Sequence, residues 1–220
     1  MSEKYLTGTS LSGTSTTRDR VENDYYATPP ESTLKLLEVE EFKGNVLEPC
    51  CGEGHISEVL KKKGFEVHSN DLINRGYGED NKDFLKEGFR TYDNIITNPP
   101  YKYAKEFIEK ALKITTGKVA MFCKIQLLEG VSRYDMFQNS PLKTVYVFTK
   151  RQNPWRNGSP VDENGKKWAS TIVLMLLLQT PHIILQKKII LQLWVEQVLI
   201  SEIGIKSLMR LVGLKKLFLK

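Results

Sequence analysis

The sequence predicts an α/β domain built on a mostly parallel sheet with helices on both faces. Three observations predict it. Short apolar runs recur at "GNVLE", "FEVHSND", "YDNIITNPPY", "KVAMFCKI" and "KTVYVFTK". Amphipathic helical stretches, "HISEVLKKK" and "AKEFIEKALKI", stand between pairs of them. A glycine-rich turn joins the first run to the first of those stretches. Strands that alternate with helices need crossover connections, which make neighbouring strands parallel. The 220 residues, 40% of them apolar, suffice for one such domain with a real core.

Residues 1–20 are rich in Ser, Thr and Gly and are expected to form a flexible arm. Residues 21–180 are expected to form the domain. In "DYYATPPESTLKLLEVEEF", Thr28 is placed to cap a helix with Pro29 at its first position and Glu31 completing a capping box. Leu34, Leu37 and Phe42 would then face the core. A second helix is expected over residues 55–63, with Ile56, Val59 and Leu60 on one face and Gly64 as its stop. In the third, Glu106–Lys110 and Glu109–Lys113 have the i,i+4 spacing of helix-surface ion pairs.

Net charge is +6, but the basicity is uneven. Residues 169–220 carry seven Lys/Arg and two Glu, a net of +5, which leaves +1 for the rest. As a sign of a nucleic-acid partner the overall charge is therefore weak. No apolar run approaches the roughly 18 residues of a membrane span. The N-terminus lacks the apolar core of a secretory signal. Three cysteines, two of them adjacent, form neither a disulfide framework nor a zinc spacing, and a reducing cytoplasm is the expected location.

The first strand–helix turn is Glu48-Pro49-Cys50-Cys51-Gly52-Glu53-Gly54-His55. Its two glycines allow a tight turn and a close backbone approach to a ligand. Asp71, at the end of the second strand, can accept hydrogen bonds from ribose hydroxyls. A dinucleotide fingerprint would carry a third small residue at the position held by Ser57, but Glu48 and Glu53 put negative charge where a pyrophosphate would lie. A nucleoside without phosphates fits better, and S-adenosylmethionine is one.

A strand that runs into Asn98-Pro99-Pro100-Tyr101 must end there, because proline donates no ladder hydrogen bond. The four residues suit one chemistry. An exocyclic base amine is a poor nucleophile because its lone pair is delocalised into the ring. Two acceptors, the Asn98 side-chain oxygen and the Pro99 carbonyl, would polarise it and stabilise the charge that develops. The Tyr101 ring would stack the base.

On these residues the sequence resembles the Rossmann-like, S-adenosylmethionine-dependent amino methyltransferases, in the order found in small phage and bacterial DNA N6-adenine methyltransferases. Asn98-Pro99-Pro100-Tyr101 resembles their catalytic motif. Glu48, Pro49, Gly52 and Gly54 resemble the cofactor loop, and Asp71 the ribose acid. Asp83-Phe84 is similar to the pair that contacts the cofactor's adenine. Asp24 to Pro29, including Tyr26 and Thr28, is similar to the segment that closes over the methionine end. The resemblance covers residues 24 to about 168. It implies a doubly wound, mostly parallel seven-stranded sheet, S-adenosyl-L-methionine as cofactor, no metal, and DNA as partner. The resemblance leaves cytosine N4, rRNA bases and a protein glutamine as alternative targets of the same motif. A non-catalytic protein that keeps the cofactor fold is the alternative from another class.

Residues 150–168 interleave Lys150, Arg151, Arg156, Lys166 and Lys167 with Trp155 and Trp168. Arg151, Trp155 and Arg156 are the candidate substrate contacts of this rim loop. Beyond it the composition changes. Residues 169–220 hold 13 Leu and 8 Ile but no Asp, Asn or Tyr. "STIVLMLLLQ" is expected to be the seventh strand, antiparallel beside "KTVYVFTK". Residues 181–220 fit a helical extension or a surface for self-association or a partner, and the whole of 169–220 fits a frameshifted end.

Overall fold

The computed structural model describes residues 25–129, 131–148, 152, 155–167, 173–179 and 190–193. The expected arm, Asp24, Lys150, Arg151, Trp168 and the helical spacing beyond residue 194 lie outside the described residues.

In chain order the elements are β1 (Tyr26–Ala27), α1 (Pro30–Val39), β2 (Val46–Glu48), α2 (His55–Lys62), β3 (Val67–Ser69) and β4 (Tyr92–Thr97). A 3-10 turn, Tyr101–Tyr103, leads into α3 (Ala104–Ile114), then β5 (Thr115–Lys124), a second 3-10 turn and α4 (Val131–Asn139). The chain continues through β6 (Leu142–Val147), β7 (Trp155–Arg156), β8 (Val173–Gln179) and β9 (Ile190–Leu193). The main sheet has the order β3-β2-β4-β5-β8-β6-β9. Every pair in it is parallel except those of β8, which runs antiparallel to both β5 and β6.

This is the Rossmann-like, doubly wound arrangement that the alternating pattern predicts. Strand order reverses between β2 and β4, so a crevice opens at their carboxyl ends, where such sheets bind ligands. Those ends are Glu48 and Thr97.

The core divides by the two-residue period of the strands. Ile95, Val119, Met121, Leu174 and Leu176 face Phe107, Ile108 and Ala111 of α3 and Met136 of α4. Their neighbours Ile96, Ala120, Phe122, Met175 and Leu177 face Leu36 of α1 and Ile56 and Leu60 of α2. With both faces covered, β8 can be uniformly apolar, and Val173–Leu178 is buried throughout. β8 pairs with β6 as expected, and it lies between β6 and β5. β9, within the stretch assigned to the extension, pairs with β6 at the sheet edge.

Two local expectations fail. α1 begins at Pro30 with Pro29 at its N-cap and no side-chain cap, so Thr28 caps nothing. The helix also packs a different face from the one expected: Leu36 is fully buried, whereas Leu34 is 37% exposed. On α3 the ion pair found is Lys105–Glu109, at 3.9 Å. Lys110 instead donates to the Glu87 carbonyl at 2.5 Å. At the opposite end of the sheet from the crevice, the Glu40 carboxylate accepts from Lys118 Nζ at 2.7 Å and from the Tyr146 hydroxyl at 2.6 Å. Burial opposes its charge, but those bonds prevail and hold it below the usual carboxylate range.

Candidate active site

The turn after β2 needs its glycines. Gly52 and Gly54 have φ of +56° and +85°, in the left-handed region. A Cβ on Gly52 would stand 2.7 Å from the Tyr25 ring, and one on Gly54 would stand 2.6 Å from the Tyr77 ring. The turn is thus roofed by two tyrosines. The Arg75 guanidinium lies 4.2 Å from the Tyr25 ring centroid, and the Tyr77 hydroxyl donates to Glu58 and accepts from Lys61. Sequence reasoning missed Arg75 and Tyr77. The glycines that flank Tyr77, Gly76 and Gly78, both with positive φ, were the available signal.

Asp71 ties this turn down. One carboxylate oxygen accepts the Gly52 N–H at 2.8 Å and the other accepts the Ile73 N–H at 2.9 Å. Each oxygen keeps a second lone pair for a ligand hydroxyl. Leu72 beside it is 52% exposed, an apolar surface at the same rim.

Glu48 is only 1% exposed and accepts from the Ser57 hydroxyl, which also bonds the Ser69 hydroxyl at 2.6 Å. Ser57 therefore serves Glu48 at the position where a dinucleotide site has its third small residue. Burial pushes the Glu48 carboxyl up to about 8, so at neutral pH it is largely protonated and supplies less of the negative charge expected there. A pH dependence follows. Between 4.5 and about 8 the folded chain holds a proton that the unfolded chain has released. Stability should fall as pH rises through that window, by up to about 1.4 kcal/mol per unit. Denaturant titrations across it should show a slope that Glu48→Gln removes; an unchanged slope in the variant would assign it elsewhere. Burial also raises both thiols of the turn, Cys51 to about 12, which keeps them protonated and unreactive.

The N-terminal segment and the basic–aromatic loop meet over this turn. β1 and β7 form a two-stranded antiparallel ribbon, with Tyr26 opposite Arg156 and Ala27 opposite Trp155. The Asn157 N–H donates to the Tyr25 carbonyl at 3.0 Å. Trp155 packs edge-on against His55, ring centroids 5.3 Å apart. That contact ties the loop to the start of α2, beside the glycine turn. Asp83 accepts the Leu85 N–H at 3.0 Å and pairs with Lys86 at 3.1 Å. Partial burial works against its charge, and those partners still hold it below the usual range. The Phe84 ring is buried between Phe89 and Phe107, so its side chain serves the core and only its backbone can reach a ligand.

The ribbon also reaches the Asn98-Pro99-Pro100-Tyr101 turn. Asn98 Nδ2 donates to the Tyr26 carbonyl at 2.9 Å. That bond fixes which end of the amide is the donor and leaves Oδ1 as the acceptor. Burial pushes the Tyr101 hydroxyl above its ordinary value, against a smaller pull from the neighbouring Asn98 amide. Asn98 and Tyr101 share a small pocket with Ala27, Thr28, Pro29 and Phe122. Thr28 Oγ1, released from capping, is buried there without a hydrogen-bond partner, and so is His55 Nδ1 at the turn. Such orphans in a folded protein call for a partner, water or ligand. Among the described residues no group of three His, Cys, Asp or Glu could hold a metal.

No protein-family model matches the chain, and neither does any curated protein. Solved structures do. The structure solved for the conversion of a disulfide bond into a thioacetal group during echinomycin biosynthesis matches with a TM-score of 0.53 and 12% identity, over 70% of this chain and 82% of that one. TehB from Haemophilus influenzae matches with a TM-score of 0.49 and 12% identity, over 69% of this chain and 62% of TehB. The chain thus spans less than two thirds of TehB. Magnesium protoporphyrin IX methyltransferase from Synechocystis PCC 6803, solved with bound SAM, matches with a TM-score of 0.46 and 12% identity, over 69% and 77%. At this identity the likeness is one of fold.

Proposed function

We propose that the chain transfers a methyl group from S-adenosyl-L-methionine to the N6 amino group of adenine in DNA. The observation that carries this reading is the anchored amide of Asn98, with Oδ1 as acceptor, at the end of β4 and beside the glycine turn. Its residues fit the cofactor. Gly52 and Gly54 bring the backbone close, Asp71 has lone pairs for the ribose, Leu72 offers apolar surface to the adenine, and Thr28 Oγ1 lacks a partner. When bound, the cofactor supplies an electrophilic methyl group on a sulfonium. The chain's own task is to hold the amine. Asn98 Oδ1 and the Pro99 carbonyl accept its two N–H bonds, which favours the charge that grows on nitrogen during attack. Tyr101 holds the base plane, so that amine and methyl group meet in line. DNA is the proposed partner. Among the described residues no helix is long and apolar enough to cross a membrane.

The test is transfer of labelled methyl to unmethylated DNA, followed by digestion to nucleosides. Label on adenine N6 supports the reading. Label on cytosine N4 keeps the site and changes the base. Label on ribosomal RNA or a protein glutamine, with none on DNA, overturns the substrate. Absence of cofactor binding at millimolar ligand overturns the enzyme.

A further inference from the structure

We infer that Lys124 seats a phosphate of the target nucleotide beside the base that Tyr101 stacks; the inference rests on the proposed nucleic-acid substrate. Thr97, the last residue of β4, is in register with Met121, so β5 runs three residues past it as Phe122, Cys123 and Lys124. That overhang lies along the catalytic turn. Phe122 lines the pocket that holds Asn98 and Tyr101. Lys124 is exposed, and its Nζ stands 4.9 Å from the Tyr101 ring centroid. Pairing of Lys124 with Val173 of β8 fixes its backbone, so the ammonium sweeps a small region about the ring.

The ring face that a base needs is thus covered by a cation in the free protein. A base that stacks there displaces the ammonium from the π face to the edge of the base, where an anionic partner would meet it. A nucleotide brings one, because its phosphates lie one sugar away from the base, within reach of the flexible four-carbon stem. The exchange replaces a cation–π contact with a phosphate contact as the base enters. A second pair stands on the same turn, with Lys102 Nζ 5.1 Å from the Tyr103 centroid and Tyr103 42% exposed, so the strand has a basic, aromatic surface on which to continue. The nearby Lys105 is engaged with Glu109 and is not assigned to it.

The experiment is steady-state methylation of a short unmethylated duplex at several salt concentrations, with Lys124→Gln, Lys124→Arg and the control Lys63→Gln. Lys63 follows α2, at the far end of that helix from the glycine turn. Lys124→Gln should raise KM for DNA several-fold, leave kcat within about twofold and lower the log–log salt slope by about 1. Lys124→Arg should recover most of KM, and Lys63→Gln should change neither. An unchanged KM and slope in Lys124→Gln, or a loss confined to kcat, would overturn the phosphate seat while the enzyme reading stands. A wild-type chain that transfers no methyl to DNA overturns both.

Discussion

Asn98→Ala should lower kcat for methyl transfer by about 10²–10³-fold, the usual cost of one preorganised polar contact to a charge that forms in the transition state. The bond that holds the amide explains why the effect is on chemistry and not on binding. Nδ2 is committed to the Tyr26 carbonyl, and the oxygen is the working end. Removing it leaves the glycine turn, Asp71 and Thr28 in place, so cofactor affinity should stay within a few-fold. Asn98→Asp is the sharper probe. It keeps oxygen acceptors but turns the anchor into two oxygens facing each other across the old hydrogen bond. Activity should fall between that of wild type and the alanine variant, because the acceptor survives while its orientation does not. Single-turnover rates at saturating DNA, with cofactor binding by calorimetry, separate the two quantities. A drop in cofactor affinity with an unchanged single-turnover rate would place Asn98 in the cofactor site and remove its role as the amine acceptor.

Much of this site was legible in the sequence because its residues are punctuation. Glycines at a strand end and prolines after a strand constrain the backbone wherever they occur. Gly52, Gly54 and the Asn98-Pro99-Pro100-Tyr101 turn accordingly lie at the ends of adjacent strands. The failures have equally local causes. A capping box is a short-range preference, and in "TPP" it competes with the fit of Pro30 to the first helical turn; helix packing then turned Leu36, not Leu34, inward. The β1–β7 ribbon joins residues about 130 positions apart through two-residue strands, too short to carry an alternating pattern. Nothing in the sequence marks Lys124. Only the register of β5 against β4 sets it over Tyr101. The apolar run of β8 reads as a strand without alternation, and cover on both faces is the reason.

Two glycine substitutions with the same backbone demand separate strain from function. Gly52→Ala and Gly64→Ala each put a side chain at positive φ, +56° and +89°. Each should cost about 1–2 kcal/mol of stability for that alone. At Gly64 nothing lies within 4 Å of the new Cβ, so the cost should end there. At Gly52 the new Cβ meets the Tyr25 ring at 2.7 Å. Tyr25 cannot yield freely. Arg75 covers its ring, and its carbonyl is held by the Asn157 N–H in line with the ribbon. Either the glycine turn moves away from Asp71 or Tyr25 moves and carries Tyr26 with it. The first outcome breaks the hydrogen bond that fixes the turn, and the second breaks the anchor of Asn98. The first weakens cofactor binding, by about 3 kcal/mol or roughly a hundredfold, and the second shows as a loss of methyl-transfer rate, as in Asn98→Ala. Gly52→Ala should therefore melt below Gly64→Ala and, unlike it, lose cofactor affinity by calorimetry or methyl-transfer rate. Equal affinities together with equal rates would mean that Tyr25 gives way without consequence, and that the aromatic roof over the turn is packing alone.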